Sequence, residues 1–532
     1  MDSPAKPNTR FCRELFLWAV YYGNEGMVKA LLQLSDINPN IKDTIYGRTP
    51  LVWAAVAGQE GMIKLLLEQE DIDPNIPDTK NGQTPLMWAA INGHEGIAEC
   101  FLGREDVNPN TKEAQHGLTA LGWAATRGHD RVAKLLLQQE DINPNIPDTW
   151  YGRTPLLLAA IDGYEKIAEL LLEREDVNPN TGENRGGRSP LMWAAHRGHE
   201  GVVKLLLSRE DICPDIADSK HGRTPLLWAV VAGHHRIAQL LLERGDVNPN
   251  FPDSKCGRTA LGWAAVVGNC GIVKLLLARE DVNPNAGEIE HGRTPLAWAA
   301  SKGHKGVVML LLEREDISVN IADTKRGRTP LGWAAMGGYG GIVELLLARE
   351  DTNPNALDTE CGFTPLMLAA WMGHKEVVKL LFEREDLNPD IQDPDGETAL
   401  QLAVSQRHEE VAKLLTQPKR SVPTPNASDD VPEGPGPGRR GLLQCFTRRS
   451  RVPLVYLSQF ESLSPTTQAL LLSTMILSVI LSVIVICFFV FLARTIPPPV
   501  LPYQLLHHCP PLDDRDSAYT DQLCTEMSLL LD

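Results

Sequence analysis

The sequence predicts an all-α solenoid of about twelve helix-turn-helix-hairpin units, followed by one transmembrane helix. Three observations predict it. First, a Thr-Pro pair, or its variants Thr-Ala and Ser-Pro, begins at 49, 84, 119, 154, 189, 224, 259, 294, 329 and 364, always 35 residues apart, with Thr398-Ala399 34 later. Second, each pair opens the same two-helix phrase. Third, residues 469–492 run 24 positions without a charge. A period in this range marks units that cannot bury their apolar faces alone and must stack. Stepping back 35 from Thr49 reaches Glu14-Leu15-Phe16 ahead of Leu17-Trp18-Ala19-Val20, a degenerate first copy.

The phrase GRTPLAWAASKGH, residues 292–304, carries the signals of a short helix. Thr294 suits the N-cap, because its hydroxyl accepts an orphan amide hydrogen bond, and Pro295 suits the first helical position, where no N–H is needed. Gly303 ends the helix by accepting a left-handed backbone. A second helix follows in GVVMLLLERED, with an apolar face too broad for a surface helix, so neighbouring units must cover it. An extended stretch then closes on a glycine turn, as in INPNIPDTWYG.

Composition narrows the chemistry. The chain carries −17, and because residues 417–468 carry +3 and 493–532 carry −4, the first 416 residues hold −16. Phosphate backbones are poor partners for such a surface, so nucleic acid is not expected. None of the 10 cysteines forms a CxxC or a Cys/His cluster at zinc spacing. No Walker loop, GxSxG elbow, HExxH or kinase signature is present. The reading is a non-enzyme with no cofactor, no metal and no evident small-molecule substrate.

On these residues the chain resembles the ankyrin-repeat family, whose signature is T-P-L-H-x-A in a unit near 33 residues. The resemblance covers roughly residues 11–416, and the GRTPLxWAA and REDVNPN wording is similar to fungal-type arrays. The histidine slot departs from the family, holding for example Val52, Met87, Gly122 and Gln401, so that residue's hydrogen bonding is absent. The resemblance implies a protein partner on a concave face, met by the two residues before each helix-ending glycine. The candidates there are Val231, Val266, Val267, Met336, Trp371 and Met372, with Trp150 and Tyr151 at a hairpin tip.

One register is read as core. Trp53, Trp88, Trp123, Trp193, Trp228, Trp263, Trp298 and Trp333 recur with Trp18 at the position of the family's buried leucine, and Leu158, Leu368 and Leu402 complete the row. Burial is favoured over an aromatic stacking surface, with indole burial as the main stabilising contribution. His94, His129, His199, His234, His304 and His374 follow the glycine. Stacked units about 10 Å apart hold them beyond reach of a shared metal, so they are turn residues.

After the array, residues 417–441 read as a disordered linker rich in Pro, Gly and Ser. Residues 442–468 form a basic juxtamembrane segment, 469–492 a transmembrane helix about 36 Å long, and 493–532 an acidic tail. Arginines upstream of the helix predict cytosolic repeats and a lumenal or extracellular tail. FCRELFLWAVYYG is broken by charges and is not a signal peptide. Which membrane is left open, and so is whether Cys509 and Cys524 pair. The expected function is a membrane-tethered protein-interaction scaffold, the alternative being a subunit of an oligomeric channel or receptor complex.

Overall fold

The computed structural model describes residues 9–33 and 37–417. Twelve helix pairs run through them in chain order, from Thr9–Tyr21 and Glu25–Leu32 to Ala399–Ser405 and Glu409–Leu415, with no strand among the described residues. Each first helix packs on the first helices of the adjacent repeats and each second helix on the adjacent second helices. The helix of the first repeat is 13 residues long, where most later helices are 8.

Capping follows the sequence closely. In the ninth repeat Thr294 Oγ1 accepts a hydrogen bond from the Ala297 amide, Pro295 occupies the first helical position, and the helix is Pro295–Lys302. Gly303 closes it at φ 80°, and a β-carbon there would lie 2.6 Å from the Tyr339 ring of the next repeat. Backbone sign and close approach therefore both require glycine. The second helix, Lys305–Leu312, buries Val307, Val308 and Leu311.

The hairpins are joined by polar bonds that sequence inspection left unassigned. From Asn40 to Asn355 the NPN asparagine donates from Nδ2 to a carbonyl 31 residues on, as Asn145 does to Asp176 O at 2.6 Å. Its Oδ1 accepts the amide 33 residues on, as from Asn178 at 3.1 Å. The result is an asparagine ladder along the array, broken among the described residues at Asp215, whose Oδ2 accepts the Asn248 amide while Oδ1 is buried without a partner. The hairpin tips are linked as well, for instance Asn184 N to Tyr151 O at 2.6 Å.

The arginine of the RED segment is more than a solvated helix end. Arg174 grips Asp176 with two nitrogens, at 2.9 and 2.8 Å, and sends a third to Leu137 O at 2.9 Å. It thereby satisfies a carbonyl at the end of the preceding repeat's second helix, where carbonyls lack helical partners.

No helix among the described residues is long and apolar enough to cross a membrane. The segments expected at 418–441, 442–468, 469–492 and 493–532 lie outside the described residues, as do Cys509 and Cys524.

Candidate interaction surface

The tryptophan register is built around a hairpin carboxylate ten residues earlier. Asp218 shows the pattern: Oδ1 accepts the Lys220 and His221 amides, and Oδ2 accepts the Arg223 amide and, at 2.9 Å, Trp228 Nε1. One carboxylate shapes the turn and fixes the indole. Asp43, Asp78, Asp253 and Asp323 hold Trp53, Trp88, Trp263 and Trp333 in the same way, at 2.6–3.1 Å.

Between consecutive tryptophans lies an arginine, the Arg of GRTP, which the sequence reading had not singled out. Arg48, Arg188, Arg223, Arg258 and Arg293 each place the guanidinium carbon 4.0–4.9 Å from the ring of their own repeat and from the ring of the next. A cation over an indole face is worth about 0.5–1 kcal/mol when exposed and about 2 when desolvated. Arginines of this register also reach the carboxylate 30 residues on, as Arg258 to Glu288 at 2.6 Å and Arg328 to Asp358 at 2.9 Å. A regular recurrence of Arg one residue before the Thr N-cap was the available signal.

Burial along the register is uneven. Trp88, Trp228, Trp263, Trp298 and Trp333 are buried, and Trp53, Trp123 and Trp193 are half-buried. Trp18 is 54% exposed, which corrects its place in the core row. Arg13 stands in the arginine register before it and donates to Lys42 O, and no described repeat precedes Trp18 to cover its outer face. The glycines before Trp263 and Trp333 do not make essential room, since a β-carbon at Gly262 or Gly332 would meet only ordinary contacts beyond 3.5 Å.

The candidate binding row divides by position. The first residue of each pair packs toward the next repeat's tryptophan: the His196 ring centroid is 4.7 Å from that of Trp228, and Tyr21 is 5.3 Å from Trp53. Val266 is accordingly 2% exposed, so it is core and not a partner anchor. Val231, Met336 and Trp371 are half-buried. The second residue faces outward, with Val267 and Met372 exposed. At the hairpin tip Trp150 is 50% exposed beside His116, while Tyr151 is half-buried between Arg153 and Arg185 at 4.0 and 4.6 Å.

The turn histidines bridge repeats. Nε2 of His129, His199, His234, His304 and His374 lies 3.0–3.1 Å from a carbonyl 38 residues back, near the end of the preceding first helix. These bonds occupy orphan carbonyls that the family's own histidine does not serve here. No group of three His, Cys, Asp or Glu side chains among the described residues is arranged to hold a metal.

Charge gathers on the row near the ninth repeat. Burial pulls the Arg293 guanidinium down to about 10, against the attraction of Asp323 and Glu288. Lys302 is lowered by burial and then by Arg293 and Arg258. Burial raises Glu288 in spite of Arg258 beside it.

A family model of ankyrin repeats, three copies to the model, matches residues 16–113, 96–183, 175–253, 214–288, 261–356 and 331–426. No curated protein matches the chain. With its matches running from residue 16 to residue 426, the chain belongs to the ankyrin-repeat family, whose repeats act in protein–protein interaction.

Proposed function

We propose that this chain is a non-enzymatic, membrane-tethered scaffold that presents its repeats to the cytosol and binds a protein partner along the exposed second position of each pair. The observation that carries the reading is the contrast within one helix. Through the eleventh repeat the residue facing the next repeat is buried or half-buried, while the residue beside it ranges from half-buried to open, as in Val267 and Met372, and both change from repeat to repeat. A repeat array varies where it recognises and repeats where it stacks. Val267 and Met372 would anchor the partner, with Val231, Met336, Trp371, Trp150 and Tyr151 at its margin. Residues 469–492 would fix the array to a bilayer of unspecified identity, with the tail 493–532 on the far side.

The test is photocrosslinking from position 372 in the full-length chain, with position 64 on an outer helix as the comparison. A partner captured at 372 and absent at 64 is expected. Capture at both alike would show that this row is not the binding face.

A further inference from the structure

Charge is sorted along the hairpins. From the third repeat to the eighth the hairpin carboxylates Asp78, Glu113, Asp148, Glu183, Asp218 and Asp253 are all buried, at 8% exposure or less. The charged side chains left exposed on residues 76–82, 111–117, 146–152, 181–187, 216–222 and 251–257 are Lys80, Lys112, Arg185, Lys220 and Lys255. Every one is a cation. The pattern ends in the ninth repeat, at exposed Glu290.

Three of these cations have partners that leave their charge intact. Lys112 Nζ donates to Pro147 O at 2.8 Å, Lys80 Nζ stands 5.3 Å from the Tyr46 ring, and the Arg185 guanidinium lies 4.6 Å from the Tyr151 ring. A carbonyl or an aromatic face orients a cation without neutralising it. Trp150 lies among them at the tip of the fifth repeat's hairpin, 50% exposed. The result is a basic and aromatic edge on an array whose first 416 residues carry −16.

We propose that this edge, from the third repeat to the eighth, lies on an anionic lipid surface. The inference builds on the tethered-scaffold reading and adds a second contact with the same bilayer. Residues 418–468 are long enough to let the array turn back onto the membrane that follows them. Repeats about 10 Å apart give the edge a length of about 50 Å. A row of exposed hairpin tips, with one or no cation on each, suits a flat charged surface better than it suits a peptide, which needs a groove. Each Lys or Arg near anionic headgroups is drawn weakly, and the attractions add. An indole settles at headgroup level, which moves Trp150 from the partner's margin to the bilayer. The exposed acids ahead of the hairpins, such as Glu105, Glu175 and Glu210, are repelled by the same surface, so charge selects this edge to face it.

The experiment places a photocrosslinker at position 115, an exposed hairpin residue of the fourth repeat, in the full-length chain. Position 64, on an outer helix, is the comparison. The chain is combined with phosphatidylcholine vesicles, with and without phosphatidylserine, and floated. Lipid adducts at 115 should rise at least about tenfold with phosphatidylserine, stay low at 64, and vanish in molar salt. The triple substitution Lys80→Gln, Lys112→Gln and Arg185→Gln should abolish the rise. Lys134→Gln, on an exposed face of a second helix, should leave it unchanged. Arg185→Gln alone, with a partial loss, supplies the answer if the triple variant loses its circular dichroism. Equal adducts from the two kinds of vesicle, equal adducts at 115 and 64, or a rise retained in the folded triple variant would each overturn the proposal. So would a protein adduct at 115 without a lipid adduct in native membranes, which would give the edge to an acidic protein. A chain that floats with both vesicles yet shows no adduct at 115 keeps its tether and loses this contact. One that floats only with anionic vesicles, and only at low salt, has the contact without the tether.

Discussion

Trp228 donates its indole N–H to Asp218 across 2.9 Å, and both residues are buried. Trp298 occupies the same register with no acceptor for its N–H. The two indoles should therefore respond differently to loss of the N–H. Trp228→Phe should cost about 1–3 kcal/mol, because it strips a partner from a buried carboxylate. Trp298→Phe should cost less, and Trp228→Ala more, at about 3–5 kcal/mol. Hydrogen exchange of the amides in the two repeats measures each locally. Equal losses in both phenylalanine variants would mean that the carboxylate bond is not what distinguishes them.

The break in the asparagine ladder offers a stabilising change. Asp215 already accepts the Asn248 amide but has no N–H to donate to the carbonyl of Asp246, and burial raises its carboxyl above the usual range. Asp215→Asn should supply that donor and remove a buried acid, gaining about 1 kcal/mol. Slower exchange of the Asn248 amide and a higher unfolding midpoint are the expected readings.

Asp162 gives a pH signature. Burial raises its carboxyl, against the opposing influence of Arg197, Arg153 and His199. The folded state thus holds this proton more tightly than the unfolded chain. Stability then falls as pH rises from the unfolded value through the raised folded one, and the loss is complete at neutral pH. Asp162→Asn should be more stable than the parent at pH 7, with the gap closing as pH drops below about 4. A gap independent of pH would point to packing instead of ionisation.

Membrane orientation has its own reporter in the sequence. Asn426-Ala427-Ser428 is a glycosylation sequon, and no asparagine follows residue 492. With cytosolic repeats Asn426 stays unmodified, so endoglycosidase should leave the mobility unchanged and protease should spare the tail in sealed microsomes. A glycan on Asn426 with protected repeats would reverse the orientation and the scaffold reading together.

The repeat period, the caps and the tryptophan register were legible because each depends on residues within a few positions of one another. Thr294, Pro295 and Gly303 announce their helix locally. What was not legible lies between repeats. Arg293 reads as a surface residue until the next repeat's first helix is seen to bring Trp333 to 4.0 Å. Val266 reads as exposed because its helix alone does not show that the following repeat covers its side chain. The glutamate at position 288 looks conservative in sequence. Only the geometry shows that Glu288 meets Arg258 and leaves the Trp298 N–H without an acceptor.

Two of the bonds between repeats run forward along the chain. Arginine reaches a carboxylate 30 residues ahead, and asparagine reaches a carbonyl 31 residues ahead. Other bonds run back, from the turn histidines and the RED arginines to carbonyls of the preceding repeat, so each joint is tied from both sides. Four repeats lack the forward arginine. In the arginine's register the eleventh repeat has buried Phe363 and the twelfth has Glu397, as the third has Gln83 and the fourth Leu118. The joints that follow such repeats are held without a guanidinium between them, and they are where the array should open first on heating.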